Sequence, residues 1–142
     1  MKMSRLVSAL CVLFPALAWS NPIHSVWATS PMYVADTAGW YNATSANCAF
    51  SWNEATGFAF GNARATVGTN VYEFQLTSVT ASTTSGQIIG IWNVTKNNVV
   101  ICANCQGSAY GLNGGVGSYF KIYVGPNNAY HLSAGVTNVY NY

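Results

Sequence analysis

Few residues in this 142-residue chain could do chemistry. Two carboxylates facing each other across a cleft would suit glycoside hydrolysis. Glu54 and Glu73 form the only plausible pair, with Asp36 as a third acid. Glu54, however, falls in a predicted turn and Glu73 on a predicted polar strand face, where carboxylates are normally solvated. His131 and Ser133 stand two apart on a predicted strand and so share a face. A Ser–His hydrolase also needs an orienting acid and an oxyanion hole, and no acid follows Ser133. Cys102-Ala103-Asn104-Cys105 has the spacing of a redox pair. That chemistry needs the first Cys at a helix start, and residues 98–101 read as a strand. Zinc would need a second ligand pair, and calcium several clustered acids. Neither occurs, so no metal and no cofactor is expected. The Gly-rich stretch 106–117, QGSAYGLNGGVG, lacks the Lys-Ser/Thr ending and the following helix of a phosphate-binding loop.

Charge is scarce, and its distribution is informative. The five basic and three acidic side chains give a formal +2. Lys2 and Arg5 precede an apolar run at 6–17, and Ala18-Trp19-Ser20 follows with small residues where a signal peptidase reads. The run is shorter than the ~20 residues of a membrane-spanning helix, and Pro15 breaks it. Residues 1–20 therefore read as a secretory signal cleaved near Ser20, not as a transmembrane segment. Cys11 follows Leu10, where a lipoprotein signal wants a small residue. The expected destination is extracellular or periplasmic. Without the leader, Arg64, Lys96 and Lys121 balance Asp36, Glu54 and Glu73. Nucleic acid and anionic membrane surfaces both need clustered Lys and Arg and are excluded as partners. Cys48, Cys102 and Cys105 remain in a compartment where disulfides persist. Three cysteines leave one thiol over, and chain entropy favours a long bridge from Cys48 to one of the other two.

The elements that must position these residues are strands. Residues 21–142 suit a single domain, rich in Val, Ile, Thr and aromatic residues broken by Gly, Asn and Ser. Alternation is clearest at 71–80, with Tyr72, Phe74 and Leu76 on one face and Glu73, Gln75 and Thr77 on the other. Further strands are expected at 48–52, 58–60, 87–95, 99–103, 118–124 and 129–139. Both faces of 87–95 are apolar. Lys96-Asn97-Asn98 and Gly125-Pro126-Asn127-Asn128 supply tight turns, the latter with Pro fixing one dihedral and Asn tolerating positive φ. Residues 25–34 read as an edge strand, because Pro31 cannot donate to a ladder. The expected architecture is all-β, a single antiparallel β-sandwich or small up-and-down β-barrel of seven to nine short strands. The stretch 106–117 is the one long connection.

Rings and amides remain. Phe14 and Trp19 fall in the leader, which leaves four of five Trp, five of six Phe and all nine Tyr, beside fifteen Asn. An apolar face for stacking with amide donors and acceptors suits neutral sugars or protein surfaces. Tyr41, Asn42, Trp52, Tyr110 and Asn113 lie in or beside predicted loops and are the candidate ligand-binding residues. The reading is a secreted, non-enzymatic module that binds a neutral glycan or an extracellular protein surface. One alternative is a self-associating structural or adhesive subunit, a homo-oligomer built on weakly protected strand edges. Another is a membrane-acting toxin component whose 72–94 hairpin joins a pore.

Two short resemblances bear on this. Gly39-Trp40-Tyr41-Asn42 and Gly90-Ile91-Trp92-Asn93 resemble strand openings in biotin-binding barrels. They cover eight residues and lack that family's spacing between Trp-bearing strands, so no ligand or residue role is carried over. His131-Leu132-Ser133 resembles the His-x-Ser pair of some outer-membrane lipid hydrolases, which implies ester hydrolysis.

Overall fold

A computed structural model describes residues 23–53, 55–82 and 86–141. The expected leader and cleavage site, Glu54 and part of the 81–86 loop lie outside the described residues. Nine strands follow in chain order: β1 (Ile23–Asp36), β2 (Gly39–Asn42), β3 (Ser45–Asn53), β4 (Ala59–Val67), β5 (Asn70–Ser82), β6 (Ile88–Lys96), β7 (Val99–Tyr110), β8 (Tyr119–Val124) and β9 (Tyr130–Asn141).

From β3 onward, every strand pairs antiparallel with the next in sequence, and β9 then pairs with β1. That last ladder closes an eight-stranded antiparallel barrel, with β2 as one extra strand. β2 and β3 lie along the same side of β1. β3 pairs with its first half, through Ala28↔Cys48, and β2 with its second, from Tyr33↔Asn42. β1 is thus paired on both sides and is not an edge strand. Pro31 is tolerated because it sits between the two partners on one side and at a bulge opposite Ala134 on the other. A missing donor costs a ladder nothing where the ladder is already interrupted.

Alternation places one apolar set inside. Ala46, Cys48, Phe50 and Trp52 from β3, Tyr72 and Phe74 from β5, Ile88, Trp92 and Val94 from β6, and Leu132, Ala134 and Val136 from β9 are all buried. An eight-stranded barrel leaves room for side chains and little more. Phe50, Trp92 and Phe120 meet across it, with ring centroids 5.7 Å apart for Phe50–Trp92 and 5.1 Å for Phe50–Phe120. The indole needs space, and Gly107 provides it: a Cβ there would come within 2.8 Å of Trp92. Outside stand Asn62, Arg64, Glu73, Gln75 and Lys121. Exposed rings such as Trp27, Trp40, Phe60 and Tyr119 share that surface. No helix among the described residues is long and apolar enough to cross a membrane.

Both ends are closed. At one, Tyr72 on β5 reaches over the mouth to β1, its phenol donating to Asp36 Oδ2 at 2.7 Å. Lys96 joins that carboxylate at 3.7 Å. At the other end, Leu112 is wholly buried, held by its N–H on the Gly86 carbonyl at 3.2 Å. The Gly-rich stretch is therefore shorter than expected. Residues 106–110 continue β7, and the connection at 111–118 is a plug. The two Asn turns form as expected, with Asn97, Asn98, Asn127 and Asn128 all at positive φ.

The disulfide corrects the entropy argument. Cys102 and Cys105 are bridged to each other, with Cα atoms 6.0 Å apart. They flank a bulge in β7 where residues 102–105 span β6 residues 92–94. Asn104 has positive φ, and its N–H donates to Asn93 Oδ1 at 2.9 Å. Cys48 faces the barrel interior from β3, four strands away, so geometry excludes the long bridge. Its thiol is free and buried, and burial pushes it up to about 12 against a weaker opposing pull from the Arg64 N–H.

Two outcomes follow. Phe50→Ala should lower unfolding free energy by about 3–5 kcal/mol in urea titration, the usual cost of an emptied aromatic core site. In the folded protein Cys48 should resist alkylation at neutral pH and react once denaturant is added; fast labelling of the native state would show that the core is open.

Candidate functional site

Pairing register builds the outer wall row by row. One outward row runs Trp40, Ala35, His131, Tyr123, Ser108, Ile89 across six strands. The next runs Asn42, Tyr33, Ser133, Lys121, Tyr110. Ala35 has almost no side chain, so Trp40 reaches across its strand to His131, centroid to centroid 4.8 Å. Tyr33 meets the same imidazole at 5.1 Å and Tyr123 stacks flat on it at 4.1 Å. His131 is thereby 1% exposed on an outer wall, beneath rings rather than inside the barrel. Neither ring nitrogen has a hydrogen-bond partner. Desolvation lowers its pKa to about 4, and the charge of nearby Lys121 acts in the same direction. The imidazole is a neutral filler in an aromatic box.

The Ser–His pair is not assembled. His131 makes no hydrogen bond, and the Ser133 hydroxyl donates weakly to the Met32 sulfur at 3.7 Å. Of the three acids, Glu54 lies outside the described residues, and Glu73 and Asp36 stand apart. Glu73 faces outward opposite Arg64 and Thr95, and Asp36 is engaged at the barrel mouth. Burial raises the Asp36 pKa, but the Tyr72 phenol, the Ala38 N–H, Lys96 and the Gly39 N–H together hold it below the ordinary value. Among the described residues no three His, Cys, Asp or Glu side chains cluster as a metal site.

Beside the aromatic box lies a groove of about 350 Å³ over β6, β7 and β8. Ile89 and Ile91 line it, which explains the second apolar face of β6. Tyr110 and Tyr123 wall it, their rings 5.8 Å apart and nearly perpendicular. Thr80, Gln106, Ser108 and Asn128 add neutral donors and acceptors, and no acid or base lines it. The Gln106 carbonyl accepts the Gly125 N–H at 2.8 Å, which ties the turn carrying Asn128 to β7. Tyr123 is held from behind by His131, which fixes its ring at the groove wall.

The five residues expected to bind ligand do not come together. Tyr110 is in the groove. Asn42 shares its row but stands four strands away, roughly 19 Å at ordinary strand spacing. Tyr41 turns inward at the mouth near Asp36 and Tyr72. Trp52 is only 2% exposed and stacks on His24 at 4.9 Å. Asn113 is exposed on the plug at the opposite end. Sequence reasoning missed Tyr123, Gln106 and Asn128. The alternation Tyr119, Lys121, Tyr123 carried the signal for the first.

A second aromatic face crosses β4, β3, β1 and β9, with Phe60, Trp27 and Tyr140 about half exposed. Its row Phe60, Ser51, Ser25, Tyr140 is joined by a Ser25–Ser51 hydroxyl pair at 2.7 Å. At its edge Phe60, with Ile23, Trp52 and Phe58, lines an apolar pocket of about 360 Å³.

Comparison with family models, curated proteins and solved structures yields no match to this chain. The two Trp-bearing tetrapeptides also point apart, Trp92 into the core and Trp40 outward at 62% exposure.

The box has a pH signature. His131 is neutral in the fold until about pH 4, while an unfolded imidazole titrates near 6.5. Between those values the unfolded chain binds a proton that the folded chain refuses, so stability is complete above about pH 6.5 and declines toward pH 4. Asp36 adds a lower window: its pKa is depressed on folding, so its contribution is lost as pH falls through the carboxylate range. Melting temperature should therefore drop between pH 7 and pH 5, and less in His131→Phe, where a ring of similar shape keeps the box without titrating. Equal drops in both proteins would show that His131 is already charged or solvated.

Proposed function

We propose that this protein is a non-enzymatic binding module for neutral saccharides and that the Tyr110–Tyr123 groove is its site. One observation carries the reading. The groove combines two tyrosine walls, an apolar floor and four neutral polar side chains, with no ionisable acid or base. Concave sites with few convergent polar groups are where small ligands bind. Sugars present apolar C–H faces to rings and hydroxyls to amides. A neutral protein surface could use the same chemistry, but a groove this small accepts a few sugar rings more readily than an interface of ordinary area. A leader that exports the chain would place the site among such ligands.

The hairpin invoked for a pore is β5 and β6 of the closed wall. Its apolar row, Tyr72, Phe74, Trp92 and Val94, lies in the core. Pore formation would have to withdraw that row, which favours the saccharide reading.

Binding to an array of neutral glycans should persist at about 1 M salt, where the screening length shrinks to about 3 Å. Tyr110→Ala or Tyr123→Ala should weaken it about tenfold, as expected for a lost stacking wall. Binding abolished by salt, or indifferent to both substitutions, would refute the reading.

A further inference from the structure

A second feature of the wall lies on the far side of Thr80 from the groove. β4 and β5 pair only from Asn62↔Gln75 to Val67↔Asn70. Beyond that, residues 59–61 pair only with β3, and residues 76–82 only with β6. Between them is a slot of about 480 Å³, lined by 56–60 on one side and 76–80 on the other. The opening is built into the wall and is not a frayed end. Thr77 and Thr80 are each an extra residue in β5 against β6, and such bulges bend a strand away from its course. Thr77 Oγ1 donates to the Ile91 carbonyl at 3.0 Å and pins the first of them. Two facing strand edges thus keep backbone groups without ladder partners among the described residues.

We propose that this slot takes one extended, uncharged peptide segment, which would complete the wall between β4 and β5. Edge N–H and C=O groups are matched in kind and spacing by another polypeptide backbone, as in β-strand addition. Among the described residues no Asp, Glu, Lys, Arg or His lines the slot, so a charged strand would find no partner among them. Leu76 and Val79 pack onto the core beneath it, while Phe58 and Phe60 stand above, 61% and 55% exposed with rings 5.7 Å apart. The occupant therefore alternates small or β-branched apolar residues facing inward with neutral polar residues facing out. Residues 76–80 offer about 17 Å of edge, five residues of strand. The slot adjoins the groove, with Thr80 lining both, but it does not rest on the saccharide reading.

The test is amide hydrogen exchange of the protein with two synthetic heptapeptides. One alternates threonine and valine with both ends capped; the other has proline at its centre. Slot-facing amides at 76–80 should exchange fast in the free protein and about tenfold more slowly with the first peptide. The second peptide should give no protection, because proline lacks the donor. Slow exchange without peptide would mean that the seam is closed. Equal protection by both peptides would mean side-chain binding without strand addition. No protection by either would mean that the slot binds no strand. Each of these three results overturns the proposal.

Discussion

The ladder between β1 and β9 is the contact on which everything else depends. It joins the two ends of the described chain, and without it the meander would be an open sheet with two bare edges. Closure defines an inside and an outside, so each alternating strand then sends one set of side chains to a fixed apolar interior. The ladder is irregular, with register shifts near Ser133, Gly135 and Val136. Those shifts supply the bending that closure requires. They also let β1 change partners from β3 to β2 at Pro31. The bonds from Tyr72 to Asp36 at one mouth and from Leu112 to Gly86 at the other act on a barrel that this ladder has already closed.

With the interior filled by rings and aliphatic chains, the grooves of the molecule lie on the outer wall. That wall has few charges and many aromatic residues, and its register brings them into line. His131 shows the consequence. On a typical surface an imidazole is solvated and titrates near neutrality; here Trp40, Tyr33 and Tyr123 cover it. The orphaned nitrogens cost stability, and the return is a Tyr123 ring held rigidly at the rim of the groove. A pre-set aromatic wall loses less entropy on binding than a mobile one.

Much of the fold was legible in the sequence because alternation reports burial directly. Tyr72, Phe74 and Leu76 against Glu73, Gln75 and Thr77 sort as expected, and the Asn turns adopt the positive φ that their side chains tolerate. Barrel and sandwich could not be separated, since the β1–β9 pairing is a long-range fact with no local signature. The same limit explains Pro31, which on one side faces Ala134 of β9, distant in sequence. The disulfide was misjudged because loop entropy favours long loops regardless of where side chains point, and Cys48 points inward. The groove proposed as the site has rings and amides of the kind read from the sequence, but it holds only Tyr110 of the five residues selected there. Proximity to predicted loops selected Trp52, which the core absorbs, and Tyr41, which turns into the mouth. The groove is assembled from strand positions, Gln106, Ser108 and Tyr123, that only register brings together.

The central claim is that an uncharged groove between Tyr110 and Tyr123 receives a neutral sugar. The most direct measurement is NMR of protein carrying ring-labelled tyrosine, titrated with neutral oligosaccharides. Tyr110 and Tyr123 ring signals should shift saturably, with Tyr119 and Tyr140 unchanged and the same response at low and high salt. Shifts confined to Tyr140, or none from any neutral sugar, would contradict the account.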